Sequence, residues 1–325
     1  MIESQKLTVR PYDPADYSVM ADIANAANHA VGDGGSVTAE ELAVYFSAPD
    51  FDRLNDSFLL ERDGRMVGMT DLEFSAASGH AQADGVVHPE HNREGIGTEL
   101  IRLTEARALA RAEAELTADQ SLSLQRNISA TNAAAIRLFE AHGYRLIRTF
   151  YQMRIVLDQP IEVPPLPAGL ELRPFDRARH AEAVYEAQQE SFADHWGFER
   201  HSFEDWAHYM IDSPSSDVSM WLIARDEASD EIAGICLNRP YEEADQRMGW
   251  TGSLGVRRPW RKQGLGLALL THSFALFQER GYVRAGLGVD ASSLTNAVEL
   301  YKHAGMHIHA IYLFYRKMLR GQFED

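Results

Sequence analysis

Residues 257–266 read RRPWRKQGLG, a cluster of four cations that runs directly into a Gly-x-Gly turn. The chain around this cluster is acidic: its 325 residues include 48 Asp and Glu against 31 Lys and Arg, a formal net charge of −17 at pH 7. Binding to a nucleic acid needs a broad basic surface that neutralises many phosphates, and this net charge argues against one. A local basic cluster on an acidic chain instead favours one small anionic ligand, so we predict no nucleic-acid partner.

The same stretch lies between a predicted strand and a predicted helix. Residues 248–256, MGWTGSLGV, are typical of a strand, and residues 266–281 carry apolar side chains at helical spacing and end on Gly281. Glycine lets the backbone approach a ligand closely, and the first helical turn offers N–H groups without intrahelical partners. The pattern therefore predicts a diphosphate site, although it has neither a P-loop sequence nor the third glycine of a dinucleotide fingerprint.

The chain contains one series of landmarks twice. The matched segments are 7–17 with 170–180, 58–74 with 221–237, 86–103 with 255–272, and 137–144 with 299–306. Four pairs in one order indicate a duplicated unit of about 160 residues. Four prolines between the copies are typical of an extended linker. We therefore predict an N-terminal domain over residues 1–157, a proline-rich linker over 158–168 and a C-terminal domain over 169–325.

Two motifs in each copy resemble those of one enzyme family. Residues 261–266, RKQGLG, resemble the acetyl-CoA signature of the GNAT superfamily of N-acetyltransferases, and residues 297–306, AVELYKHAGM, resemble its ALxLYxxxGF-like tail. The same landmarks recur at 92–97 and 135–144. The resemblance implies two tandem domains of mixed α/β class, each with a central mixed β-sheet flanked by helices. It also implies an acetyl-CoA-dependent N-acetyltransferase that needs no metal.

The resemblance assigns the cofactor contacts to particular residues. Two neighbouring strands should splay apart so that one of them holds the pantetheine arm, while backbone N–H groups of the following turn hold the pyrophosphate. The expected acetyl-CoA contacts are Leu254, Gly255, Val256, Arg257, Arg261, Lys262, Gln263, Gly264, Leu265 and Gly266. A second CoA site in the first copy, which the sequence leaves open, would use Val87, Arg93, Gly95, Ile96 and Gly97.

The resemblance also implies that Tyr301 is the general acid that protonates the departing CoA thiolate. A phenol suits this task because it keeps its proton at neutral pH. The matching residue of the first copy is Phe139, which has no proton to give. The first copy also replaces Arg261 by Asn92 in the signature. We therefore predict that the C-terminal domain is catalytic and that the N-terminal domain is degenerate.

The acceptor is expected to bind near Asp194, His195 and Trp196. These residues lie in a predicted loop within residues 188–210, a segment rich in aromatic and acidic side chains. Aromatic faces and carboxylates both attract a cation, so the segment suits a primary amine of a small molecule. The alternative explanation for these aromatic side chains is that they form the core-facing sides of amphipathic helices. Acetylation of a peptide or protein amine, or CoA sensing without catalysis, are the alternative functions.

The general base is left open by the sequence. Asp290, at the end of the next predicted strand, could accept the proton or could cap a helix predicted to begin near Ser293. His195 has a suitable pKa, a water relay would also serve, and the acids at 242, 243 and 245 lie in a predicted loop.

The remaining composition indicates a cytoplasmic protein. Cys236 is the single cysteine, so internal disulfides are excluded, and its apolar surroundings favour a core thiol. No apolar run is long enough to span a bilayer, and the N-terminal residues show no secretory leader, so we expect no membrane partner. The histidines show no metal-binding spacing, and the oligomeric state is left open.

Overall fold

The computed structural model describes residues 7–32, 35–47, 51–198, 200–213, 216–243, 246–293 and 296–323. They form two compact units. Unit 1 comprises Met1–Thr149 together with Ile311–Asp325, and unit 2 comprises Phe150–Ala310.

The elements follow one order twice. The first half of the chain contains β1 (Thr8–Arg10), α1 (Tyr17–Ala30), α2 (Ala39–Tyr45), β2 (Ser57–Arg62), β3 (Arg65–Ser75), β4 (His80–Val87), α3 (Ile96–Glu115), β5 (Leu122–Ser129), α4 (Ala133–Ala141) and β6 (Arg145–Val156). The second half contains β7 (Leu170–Pro174), α5 (Arg177–Phe192), α6 (Phe203–Met210), β8 (Leu222–Asp226), β9 (Ile232–Glu243), β10 (Gln246–Val256), α7 (Leu265–Glu279), β11 (Arg284–Asp290), α8 (Ala297–His303) and β12 (His307–Arg320).

Each unit is built on a mixed sheet with the same strand order. In unit 1, β1 to β4 are successive antiparallel neighbours, β4 pairs with β5 in parallel, and β5 pairs with β12 antiparallel. In unit 2, β7 to β10 are antiparallel neighbours, β10 pairs with β11 in parallel, and β11 pairs with β6 antiparallel. The predicted mixed α/β class and its duplication are therefore confirmed.

The last strand of each sheet comes from the other half of the sequence. In unit 2, residues 150–156 of β6 pair with Arg284–Asp290 of β11. In unit 1, residues 312–320 of β12 pair with Leu122–Ser129 of β5. The compact units consequently divide the chain at Thr149 and at Ala310, whereas the predicted domains 1–157 and 169–325 follow the repeat in the sequence. A repeat shows which segments are similar, but not which strand each copy of the sheet takes as its neighbour.

The two central parallel strands of each unit separate along their length. In unit 2, β10 pairs with β11 only from Met248 to Thr251, yet β10 continues to Val256 and β11 to Asp290. In unit 1, the pairing of β4 with β5 covers His80 to Gln82, and the strands run on to Val87 and Ser129. Beyond the paired residues each unit thus has a gap between two strands, as the family resemblance implied.

The helix after the gap is held close to the sheet by a glycine. A Cβ atom on Gly249 of β10 would lie 2.3 Å from ring atoms of Phe277 on α7. Only the absence of that atom lets the buried Phe277 ring lie directly on the strand. This contact fixes α7, and therefore the start of α7, beside the separating end of β10.

Candidate functional site

The turn between β10 and α7 presents backbone N–H groups at the open end of the gap. Lys262 and Gly264 both have left-handed backbones, with φ of 61° and 90°. Gly264 is the N-cap of α7, and the first helical hydrogen bond runs from the Ala268 N–H to the Gly264 carbonyl at 3.1 Å. The N–H groups of residues 265–267 precede that bond, so they have no intrahelical partner. These N–H groups and the positive end of the helix dipole are suited to an anion, so the predicted pyrophosphate contact remains a prediction.

Unit 1 has the same turn geometry. Arg93 and Gly95 take the left-handed conformation at φ of 67° and 83°, and α3 begins at Ile96. The side chains differ, however, because Glu94 of this turn is bound by Arg62 and by His91, the latter at 3.1 Å. The two units therefore share the backbone conformation of this turn but differ in the charge of its side chains.

Two of the four cations in residues 257–262 donate hydrogen bonds to acids of α5 and of the loop after it. Arg257 Nε donates to Glu190 Oε2 at 2.6 Å, and its guanidinium lies 5.6 Å from the Trp260 ring. Arg258 donates to both oxygens of Asp194, at 3.0 and 3.1 Å. These pairs tie the turn to the end of α5. That Arg257 contacts the cofactor remains a prediction, and its charge is already balanced by Glu190.

The other two cations are placed differently. Arg261 Nε donates to the Val256 carbonyl at 2.9 Å, and one of its terminal nitrogens lies 3.8 Å from Asp194. Arg261 therefore closes the turn on itself. Lys262 is exposed, and no ion pair to it is found within the part of the chain that the structure describes. Gln263 is also exposed and donates to the Pro259 carbonyl at 3.1 Å.

The predicted pantetheine residues lie on β10 beyond its pairing with β11. Leu254, Gly255 and Val256 are register partners of β9, so one edge of this segment is bonded and the other faces the gap. A Cβ on Gly255 would come within 2.8 Å of Ser191 on α5, which is why this position needs glycine. A Cβ on Gly266 would have only ordinary contacts, 3.4 Å to Leu300 at the nearest.

Tyr301 lies on α8 and is only 8% exposed. It belongs to an apolar cluster from α7, β11 and α8, against which Leu254 of β10 also packs. Burial raises the pKa of Tyr301 above that of an ordinary tyrosine, so the phenol holds its proton at neutral pH. The described residues provide no hydrogen bond to its hydroxyl.

The matching position in unit 1 is filled by hydrocarbon. The Phe139 ring lies 5.8 Å from the rings of Tyr144 and of Tyr315, and the Arg126 guanidinium lies over it at 5.8 Å. Phe139 is a core residue of unit 1. It offers no proton at this position.

The loop after α5 brings the three predicted acceptor residues to the end of the gap, but with different surroundings. Asp194 is taken up by the arginines of the turn, as described above. The exposed His195 packs against Phe192, with ring centroids 4.4 Å apart. The Trp196 ring lies 6.4 Å from Phe150 of β6, which is the register partner of Asp290.

His195 lies within electrostatic reach of Asp290. The pKa of His195 lies below the ordinary histidine value, mainly because of desolvation. The negative charge of Asp290 acts to raise this pKa, whereas the positive charge of Arg261 lowers it further. Asp290 Oδ1 accepts the Ser292 N–H at 2.8 Å, so the side chain closes the turn after β11. The helix that follows begins at Ala297 rather than near Ser293, so Asp290 is not its cap. The carboxylates at 242, 243 and 245 lie outside the described side chains.

Sequence reasoning missed two contributors to this site. Phe150 belongs to the first half of the chain and enters unit 2 only through the exchanged strand. Glu190 is a helical residue whose pairing with Arg257 has no local sequence signal. Cys236, by contrast, is fully buried as predicted, and burial raises the pKa of its thiol to about 12.

The described residues lack two further features. None of the helices is long and apolar enough to cross a membrane. In the described ranges, no three His, Cys, Asp or Glu side chains are grouped so that they could hold a metal ion.

A mixed sheet with separating central strands, a helix start whose N–H groups lack intrahelical partners and a buried tyrosine in the adjoining apolar cluster are features of an acyltransferase. Residues 181–306 match the family model described as "Acetyltransferase (GNAT) family". Residues 54–146 match the model described as "Acetyltransferase (GNAT) domain". The chain is 31% identical over 258 residues to a mycothiol acetyltransferase of Salinispora arenicola, covering 78% of this chain and 79% of that protein.

Solved structures agree with this assignment. A GCN5-related N-acetyltransferase from Sphaerobacter thermophilus has a TM-score of 0.82 and 34% identity, over 98% of this chain and 97% of that one. A tandem GNAT protein from the clavulanic acid biosynthesis pathway shares the fold, with a TM-score of 0.74 at 17% identity over 98% of this chain and all of that one (100%). The chain belongs to the GNAT family of acetyltransferases and carries two of its domains in tandem.

Proposed function

We propose that unit 2 transfers the acetyl group of acetyl-CoA to the primary amine of a small molecule. The observation that carries this proposal is the combination, in unit 2, of an open anion-binding turn with a protonated Tyr301 beside the same gap. Unit 1 has the turn but not the tyrosine. We infer that its role is structural or regulatory rather than catalytic.

The donor would lie along the separating end of β10. Backbone groups of Leu254 to Val256 that face the gap would pair with the pantetheine arm, and an N–H near Leu254 would polarise the thioester carbonyl. The pyrophosphate would rest on the N–H groups from Arg261 to Gly266, including those at Gln263 and Leu265. Lys262 would supply the charge, because the arginines of the turn are already paired or folded back.

The reaction would proceed by direct attack of the amine. The neutral amine nitrogen forms a bond to the thioester carbonyl carbon while the carbon–sulfur bond breaks. Tyr301 gives its proton to the sulfur that leaves, and the amine loses a proton to a base. His195 is the better placed base at neutral pH, because its lowered pKa keeps the imidazole unprotonated, and Asp290 would then stabilise the imidazolium that forms.

The acceptor would enter on the side of Trp196 and Phe150. These two rings are suited to an amine with some apolar surface. The relatives named mycothiol acetyltransferase make an amine related to mycothiol one candidate acceptor.

Calorimetric titration of acetyl-CoA into the full chain tests the proposed site with a matched pair of variants. Lys262→Gln and Arg93→Gln remove one exposed cation from equivalent left-handed positions in the two units. A charge-assisted contact to phosphate contributes about 1.5–3 kcal/mol, so Lys262→Gln should weaken binding about 10-fold to 100-fold. Arg93→Gln should leave binding unchanged. If Arg93→Gln alone weakens it, the working site lies in unit 1, and if the wild type does not bind, the donor is not acetyl-CoA.

A further inference from the structure

Gly288 is an exposed residue of β11, a strand that lies inside the sheet between β10 and β6. Its neighbours Leu287 and Val289 are both buried. A Cβ atom at Gly288 would meet no atom of the described residues within 4 Å. Open space therefore lies over this glycine on one face of the sheet of unit 2.

This space is on the face of the sheet that points away from Tyr301. Side chains alternate between the two faces along a strand. Leu287 and Val289 belong to the apolar cluster that contains Tyr301, so Gly288 opens to the other face. On that face the Trp250 ring covers the preceding glycine of the row, because a Cβ atom on Gly286 would lie 3.0 Å from the ring. One end of the open space is thus next to an aromatic ring.

The exchanged strand β6 supplies neighbours at the other end. Gln152 is the register partner of Gly288, and Phe150 is that of Asp290. Register partners on neighbouring strands point to the same face, and Gly288 and Asp290 share a face by alternation. Phe150 therefore lies on the Gly288 face two residues further along, where its ring is 6.4 Å from that of Trp196. Aromatic rings consequently flank the open space along the strand.

Unit 1 closes the equivalent space with a hydrogen bond. The first residues of β5 and β11 that pair in parallel are Ser123 and Arg284, and four residues further along lie Asn127 and Gly288. Asn127 Nδ2 donates to Asp84 Oδ1 of β4 at 3.2 Å. This bond spans the gap of unit 1 beyond its last strand pair. Glycine at the matching position leaves the gap of unit 2 open.

The acyl group of the donor has to connect the two faces of the gap. In the proposed reaction the thioester sulfur lies on the side of Tyr301, which protonates it, and the amine arrives on the side of Trp196 and Phe150. The carbonyl carbon is bonded to the sulfur and is attacked by the amine, so it lies between them. A chain that extends beyond this carbon would enter the space over Gly288.

We propose that the space over Gly288 receives the acyl chain of the donor, and that unit 2 binds acyl groups longer than acetyl in preference to acetyl. The inference rests on the function proposed for unit 2. The side chain of Asn127 fills the equivalent space in unit 1, so a chain of comparable length, such as that of a butyryl group, fits over Gly288. The bonds formed and broken are those of the acetyl transfer, since only the chain beyond the carbonyl differs.

Calorimetric titration of the full chain with acetyl-CoA and with butyryl-CoA tests the acyl site without an acceptor. Burial of one methylene group raises affinity about fourfold, so the two that butyryl adds should raise it about 15-fold over acetyl-CoA. If acetyl-CoA binds and butyryl-CoA binds no more tightly, the acyl-chain proposal alone is overturned. If neither binds, the function proposed for unit 2 is overturned as well.

A reciprocal exchange of residues locates the chain. Gly288→Asn introduces the residue of unit 1 into unit 2 and should abolish the preference for butyryl-CoA. Gly288→Ala should reduce the preference at an unchanged Tm, because its methyl meets no described atom within 4 Å. Asn127→Gly makes the opposite change in unit 1 and should leave the preference as it is. A preference that persists in Gly288→Asn, or that is lost in Asn127→Gly, would overturn the assignment to Gly288.

Discussion

Replacement of Tyr301 by phenylalanine isolates the proposed proton transfer from every other property of unit 2. The change removes one oxygen atom from a buried ring. Phe139 at the matching position of unit 1 shows that this fold accepts phenylalanine there. The wild type and Tyr301→Phe therefore differ only in whether a hydroxyl proton can be donated at this position.

Tyr301→Phe is expected to have a large effect on the rate of transfer and a small effect on stability. A positioned general acid contributes about 10²–10⁴-fold to the rate, or about 3–5 kcal/mol of transition-state stabilisation. The free energy of unfolding should change by less than about 1 kcal/mol, because the hydroxyl has no hydrogen bond to the described residues that would be lost. We expect kcat to fall at least 100-fold at an unchanged Tm and an unchanged affinity for acetyl-CoA.

The assay follows release of CoA thiol with a thiol reagent, using a small primary amine that supports turnover. Cys236 is fully buried and does not consume the reagent. Tyr282→Phe is the matched control, because Tyr282 is a buried tyrosine of the same apolar cluster. Single-turnover measurements ensure that the chemical step, not product release, is compared.

Retention of the wild-type single-turnover rate by Tyr301→Phe would refute the acid assignment. A similar loss in Tyr282→Phe would show that the effect comes from packing. If acetyl-CoA binds but the wild type transfers its acetyl group to none of a panel of small primary amines, the proposed transfer to a small amine is contradicted.

Two further predictions concern the base and the packing of α7. In the pH profile of kcat/KM, the acidic limb should have its midpoint below the ordinary histidine pKa of 6.5, because the pKa of His195 is lowered. This limb should disappear in His195→Gln. If the limb persists in that variant, the general base is Asp290 or a water molecule. Gly249→Ala should lower the free energy of unfolding by about 1–3 kcal/mol, because its new methyl would lie 2.3 Å from the Phe277 ring. Chemical denaturation measures this loss. Gly266→Ala is the control, because its methyl meets only ordinary contacts, and an equal loss of stability in both variants would contradict this reasoning.

Several properties of the protein follow from its sequence alone. The duplication, the mixed α/β class and the strand–turn–helix at 248–281 were predictable because repeats and hydrophobic periodicity are local signals. The left-handed turn was predictable for the same reason, as Gly264 takes a conformation that side chains with a Cβ atom disfavour. The family followed from motifs that lie in these local segments.

Other properties were decided only by the tertiary structure. The exchange of β6 and β12, which brings Phe150 to unit 2, depends on which strands pair, and strand pairing is set by contacts between residues far apart in sequence. Arg258 pairs with Asp194, so its charge is already balanced, and the basic cluster in the sequence does not reveal this pairing. The hydrogen bond between Asp84 and Asn127 depends on the pairing of β4 with β5, because a shift by one residue would turn one of them to the other face of the sheet.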